Sequence, residues 1–163
     1  MSSTEELERI KEKIVNSNLP LKDTAKNLVF GKGNPDAKIM FIGEAPGEKE
    51  DEQGIPFVGS AGKELDRLLN LIGLKIEEIY IANILKYRPP ENRNPNIKEI
   101  EAHTPYLIEQ IKAIKPKIIA TLGNYSTKFI LASFDTEKIK EIPGITKIHG
   151  KIHNININEM NFI

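Results

Sequence analysis

Three places in this chain gather side chains whose types and spacing could do chemistry. The first is "FIGEAPGEKEDEQGIPFVGSAGKELDRLL", Phe41 to Leu69. Glu44 stands just past a short apolar run. A carboxylate there could orient a water or act as a general base; it could equally bond to nearby N–H groups. Phe57, between Pro56 and Gly59, offers a flat ring that could stack on a planar ligand or belong to the core. Ser60, Ala61 and Gly62 open a helix, and free N–H groups at such an end favour a phosphate or carboxylate. The acidic knot of Glu48, Glu50, Asp51 and Glu52 fits none of this, because phosphates avoid carboxylates.

The second place is Asn83 and the segment after it. An Asn amide carries an acceptor and two donors in one plane, which matches the edge of a base. Its other reading is a bond to the backbone of a neighbouring loop. Lys86, Arg88 and Arg93 stand against Glu91 in "KYRPPENRNPN", a modest basic patch or an ordinary solvated surface. The third place is "LGNYS", where Gly123, Asn124 and Ser126 start a helix. This is a second possible anion cradle, or a simply capped helix. Together the parts describe a pocket for a nucleotide lifted out of its stack. The chain has neither GxGxxG nor GxxxxGK[ST], so dinucleotide and P-loop readings find no support.

These residues need elements to position them. "KIMFI" (38–42), "IYIANIL" (79–85) and "KIIATL" (117–122) are nearly continuous apolar runs, as strands buried on both faces require. Helices are expected at about 4–15 with Ser3 as cap, at 60–71, at 97–114 and just after Gly123, on apolar spacing and capping residues. The segment Gly43–Gly59 is expected as loop, and "ITKIHGKIHNININ" (145–158) as a hairpin or two short strands. Strands alternating with helices predict a parallel sheet covered on both faces. Ligands in such sheets sit at the carboxyl ends of the strands, where all three unusual segments lie.

The 163-residue length suits one domain with a real core. The chain has no cysteine and three scattered histidines, so disulfides, thiolate metal sites and a zinc motif are excluded. The start, "MSSTEELERIKEKI", is charged and amphipathic, not a signal peptide. No apolar run approaches a membrane span, so an intracellular, cytoplasmic location is expected. The formal net charge is zero, which neither suggests nor forbids nucleic acid.

On "GEAPGEKEDEQGIPFVGSAGKELDRLL", "IYIANILKYRPPENRNPNIKEIEAHTPYLIEQIKAIKPKIIATLGNYSTKFIL" and, upstream, "NLVFGKGNPDAKIMFIG", the sequence resembles a uracil-DNA glycosylase, most like the family 4 branch, over about residues 16–150. The resemblance implies a three-layer α/β/α sandwich around a central, mainly parallel four-stranded sheet. It implies hydrolysis of the uracil–deoxyribose N-glycosidic bond in base excision repair. By position, Glu44 would hold the attacking water, Phe57 would stack on flipped uracil beside Gly43, and Asn83 would read the uracil edge. "GSAG" and "GNYS", with Arg88 and Arg93, would touch DNA phosphates.

The sequence departs from the family pattern twice. Family 4 enzymes resemble one another in four cysteines that hold an iron–sulfur cluster; the matching positions here are Asn16, Leu19, Tyr87 and His103. No cluster and no other cofactor is expected, with packing around Tyr87 and Leu19 in its place. The family's last strand is followed by a His-Pro-Ser-like motif and a loop that wedges into the duplex. "NFI" resembles that strand, and the motif is not found after it; His149 and His153 lie upstream and lack the following Pro. The expected partner is uracil-containing DNA, single strands included, with reduced turnover. The alternative is a non-catalytic, DNA-binding or complex-forming member of the family. A strand ending in "MNFI" would offer a sticky edge to a protein partner or a second copy.

Overall fold

The computed structural model describes residues 1–157 and 160–163. Helix α1 spans Ser3–Asn16 and is capped by Ser2, not Ser3. Ser2 Oγ accepts the Glu5 N–H, and the Glu5 carboxylate accepts the Ser2 N–H. This reciprocal pair satisfies two orphan donors at once, while the Ser3 hydroxyl donates to Asp36.

Strands β1 (Lys32–Gly33), β2 (Ile39–Gly43), β3 (Ile79–Asn83) and β4 (Ile118–Thr121) form one sheet in the order β1-β3-β2-β4. β3 and β4 both run parallel to β2, with Ile39 opposite Ile79 and Ile118; β1 is antiparallel. Met40, Ile42, Tyr80 and Ala82 turn to one face, against Leu7, Ile10 and Ile14 of α1, against α4 (Ile97–Ile114) and against α5 (Asn124–Leu131). Ile39, Phe41, Ile79 and Ile81 turn to the other, against Leu65 and Leu69 of α3 (Ser60–Leu71). Two covered faces explain why the central strands carry apolar residues at every position. Each such side chain contributes roughly 1.5–3 kcal/mol by leaving water. The α/β fold with its mostly parallel four-stranded sheet is the expected one.

Two expectations change. The segment Gly43–Gly59 is not all loop, because Glu48–Gln53 forms a short helix, α2, closed by Gly54 in the left-handed conformation. At the other end, Ile145–Ile148 is a helical turn, α6. The antiparallel pair lies later, β5 (Ile155–Ile157) with β6 (Met160–Phe162). The expected hairpin span includes Asn158, which lies outside the described residues. Burial decides the shift: Ile152 is 82% exposed, whereas Ile157 and Phe162 reach the core. The Ile163 N–H donates to the Lys117 carbonyl at 3.2 Å, and its carbonyl accepts the Ile119 N–H at 2.9 Å. The "MNFI" end expected as an open edge is therefore tied to the start of β4 through Ile163. Among the described residues no helix is long and apolar enough to cross a membrane.

Candidate active site

The carboxyl ends of β2, β3 and β4 open on one cavity of about 730 Å³, lined among others by Glu44, Phe57, Ser60, Ala61, Asn83, Arg93 and Gly123. Asn83 ends β3 opposite Gly43 in the register. The hydrogen bonds among the described residues leave its side-chain amide unpartnered, and it opens on the cavity. The loop-bonding reading of Asn83 thus fails. Gly43 allows this arrangement. A methyl group there would collide with Asn83 Oδ1 and stand 2.6 Å from Phe57 Cζ, so only glycine lets both side chains close on the strand end.

Phe57 has φ +53°, a conformation costing about 1–3 kcal/mol for a residue with a side chain. Three contacts hold it there. Lys32 Nζ donates to the Phe57 carbonyl at 3.0 Å. Gly62 packs directly beneath that carbonyl. Glu50 Oε1 accepts the Val58 N–H at 3.0 Å and the Gly59 N–H at 2.7 Å. Burial pushes the Glu50 carboxyl up, but the N–H groups of Gly59, Glu50, Val58 and Gly47 outweigh it and hold the group below its ordinary range. Asp51, itself buried, accepts the Lys26 and Asn27 N–H groups at 2.8 and 3.1 Å. Within the acidic knot, Glu50 and Asp51 therefore brace the Phe57 loop and the incoming chain, while Glu48 and Glu52 are exposed. The partners of Glu50 lie eight and nine residues away, a spacing that marks no motif, so no sequence signal pointed to it.

Glu44 Oε1 accepts the Tyr125 N–H at 2.8 Å, at the α5 N-terminus where a carboxylate is favoured. Its capping and its water-holding readings are compatible, since among the described residues Oε2 is left to the cavity.

The anion-binding expectations divide. Ser60 and Ala61 are exposed at the rim, beside a helix start with no side-chain cap. Gly62 is buried under Phe57 and cannot meet a phosphate. Ser126 is also excluded: it is fully buried, and its hydroxyl donates to the Leu122 carbonyl at 2.7 Å. Asn124 Oδ1 accepts the Ile145 N–H at 3.1 Å, so it pins α6. Arg88 Nε donates to Asn92 Oδ1 at 2.7 Å. Arg93 forks onto Glu99 at 2.6 and 2.9 Å, a pair that a phosphate would have to displace. Lys86 is no part of a basic patch: it is completely buried.

The four positions matching the family's cluster ligands do not fit a cluster. Asn16 is exposed at the end of α1, while Leu19 and Tyr87 are core residues. His103 Nδ1 accepts the Lys86 N–H at 2.9 Å, so its Nε2–H donates to the Pro20 carbonyl at 3.1 Å. Both ring nitrogens are used, and the ring meets Tyr87 edge to face at 6.2 Å. Burial drives the imidazole down to about 4, with the Pro20 carbonyl opposing and Lys86 assisting. Thiolates are the usual cluster ligands, and these residues supply a packed, hydrogen-bonded plug in their stead.

The family model of the uracil DNA glycosylase superfamily matches residues 30–158. The chain is similar to the "Type-4 uracil-DNA glycosylase" of Sulfurisphaera tokodaii, 46% identical over 147 residues, covering 89% of this chain and 65% of that protein. The protein of the same name from Saccharolobus solfataricus is 50% identical over 133 residues, covering 81% and 60%. That from Archaeoglobus fulgidus is 45% identical over 135 residues, covering 83% and 66%. The chain thus spans about two thirds of the length of these curated relatives. The family match falls on the residues that build the sheet and its cavity, and this chain belongs to the uracil DNA glycosylase superfamily.

Proposed function

We propose that the chain, acting as one domain, recognises uracil in DNA and hydrolyses the bond between the base and its deoxyribose. The unpartnered Asn83 amide, facing the same cavity as the Phe57 ring, carries this reading. Uracil presents a carbonyl acceptor beside an N–H donor, which one amide can pair in full. Cytosine presents the reverse pattern and would require the amide to be turned over. Glu44, with one oxygen fixed by Tyr125, would hold the attacking water with the other. The sugar becomes oxocarbenium-like as the bond breaks, and the departing uracil anion needs donors that are already in place. The relatives named type-4 uracil-DNA glycosylases support the same chemistry.

Among the described residues no histidine lines the cavity: His103 is in the core, and His149 and His153 are exposed elsewhere. The second reading is a DNA-binding member of low or no turnover; one oxyanion donor typically contributes about 10²–10³ in rate. Base extrusion is easiest from single strands, so these are the preferred substrate.

Uracil-containing oligonucleotides, single- and double-stranded, followed by alkaline scission of abasic sites, separate the readings. Cleavage that Asn83→Ala abolishes supports the first. Tight binding that weakens with salt, without cleavage, supports the second. The absence of both cleavage and binding would overturn the pocket assignment.

A further inference from the structure

Lys86 lies three residues beyond Asn83 and has no exposed surface. Its ammonium donates to the Asn83 main-chain carbonyl at 2.7 Å and to Gln110 Oε1 at 2.5 Å. Gln110, also fully buried, is oriented by donating to the Phe30 carbonyl at 3.0 Å. The Lys86 main chain is fixed as well. Its N–H donates to His103 Nδ1 at 2.9 Å and its carbonyl accepts the Val29 N–H at 2.9 Å. Among the described residues no carboxylate lies within ion-pair distance of this ammonium. A buried charge without a counter-ion is costly, several kcal/mol even after relaxation.

The topology explains why the charge is placed here. β1 pairs with β3 only at Tyr80 and Ile81. Past that point the edge of β3 facing β1 has no strand partner, and a buried Asn83 carbonyl would be orphaned. On the other side of β3, the Gly43 carbonyl takes the Ile84 N–H. The Lys86 side chain therefore replaces the missing strand at the β3 residue whose side chain faces the cavity.

We propose that Lys86 is a positioning residue for Asn83, locking the main chain at the end of β3 so that the Asn83 side chain is presented to the cavity from one fixed position. The proposal deepens the uracil reading and rests on it. Burial lowers the Lys86 ammonium to about 7. The titratable groups facing this cluster are His103 on α4 and Tyr80 on β3, with Glu99 acting on His103. Burial drives the histidine down to about 4 and the Tyr80 phenol up. Burial thus opposes the charged form of Lys86, and loss of its proton weakens a charge-assisted bond to Asn83.

Two measurements test this. In the wild-type protein, the side-chain amide resonance of Asn83 is followed by NMR through neutral pH. It is expected to shift as the Lys86 side chain, followed in the same titration, loses its proton, and an Asn83 resonance that stays fixed through that titration overturns the proposal. In Lys86→Met, kcat on a uracil-containing single strand is expected to fall on the order of 10²-fold, with KM little changed. Asn83→Ala added to it should cost little more, because residues acting as a unit are not additive. A merely structural lysine would lower the melting temperature and leave kcat and the Asn83 resonance unmoved, which also overturns the proposal. The NMR arm needs neither turnover nor a variant. A wild-type protein that shows the shift but neither cleaves nor binds uracil DNA therefore sinks the uracil reading and leaves the Lys86–Asn83 coupling standing.

Discussion

Replacing Glu50 by Ala removes one carboxylate oxygen that accepts two main-chain N–H groups, from Val58 at 3.0 Å and Gly59 at 2.7 Å. A hydrogen bond to a charged group contributes about 1.5–3 kcal/mol. Glu50 and its partners are only half-buried, so water will reclaim part of the freed N–H groups, and the expected loss is about 2 kcal/mol rather than the sum. The strained Phe57, at φ +53°, then keeps only Lys32 and Gly62 to hold it, and the loop relaxes. Equilibrium urea unfolding should show the loss near neutral pH. Hydrogen exchange should show protection falling at Val58 and Gly59 but not in β2 or β3. The pH dependence follows from linkage. The folded-state carboxyl is held below its usual 4.5, so its contribution is present above about that pH and disappears as pH falls through the folded value. Wild-type and variant stabilities should therefore converge in acid. Equal stability at neutral pH, or a Gly59 amide as protected as before, would refute the brace.

Two further outcomes are expected. Gly62→Ala puts a methyl group into the Phe57 carbonyl, and overpacking of this kind should destabilise by roughly 1–3 kcal/mol and displace the Phe57 ring; thermal unfolding together with a crystal structure checks both. His103 is lowered to about 4 from 6.5, so the unfolded chain binds the extra proton first, and stability should fall as pH drops from 6.5 toward 4, by at most about 1.4 kcal/mol per unit. His103→Gln should flatten that slope in urea titrations, and an unchanged slope would place the acid sensitivity elsewhere.

Much of the frame was legible in the sequence because it rests on local periodicity. The apolar runs 38–42 and 79–85 read as strands covered on both faces, and the helix at 97–114 was legible, while its cap by Asn96 and Glu99 emerged only in the structure. Residues at strand ends were also legible, since the topology of a parallel sheet places Glu44, Asn83 and Gly123 together whatever the loops do. The loops were not legible. Ser126 looks like a phosphate ligand in "GNYS" until the helix turns its hydroxyl back onto Leu122. Lys86 looks like a surface cation beside Arg88 until β1 stops short and leaves an Asn83 carbonyl for it to satisfy.

The sequence by itself determined the fold class, the lack of any thiolate ligand and the identity of the residues at the mouth of the sheet. These follow from residue type and short-range pattern alone. Only the tertiary structure decided what the polar residues face. It set Glu50 and Asp51 against main-chain N–H groups, His103 into a plug between Lys86 and Pro20, and the Asn83 amide toward the cavity. The physical reason is that a polar side chain takes its role from the orphaned donor or acceptor it meets, and which groups are orphaned depends on where distant strands and helices end.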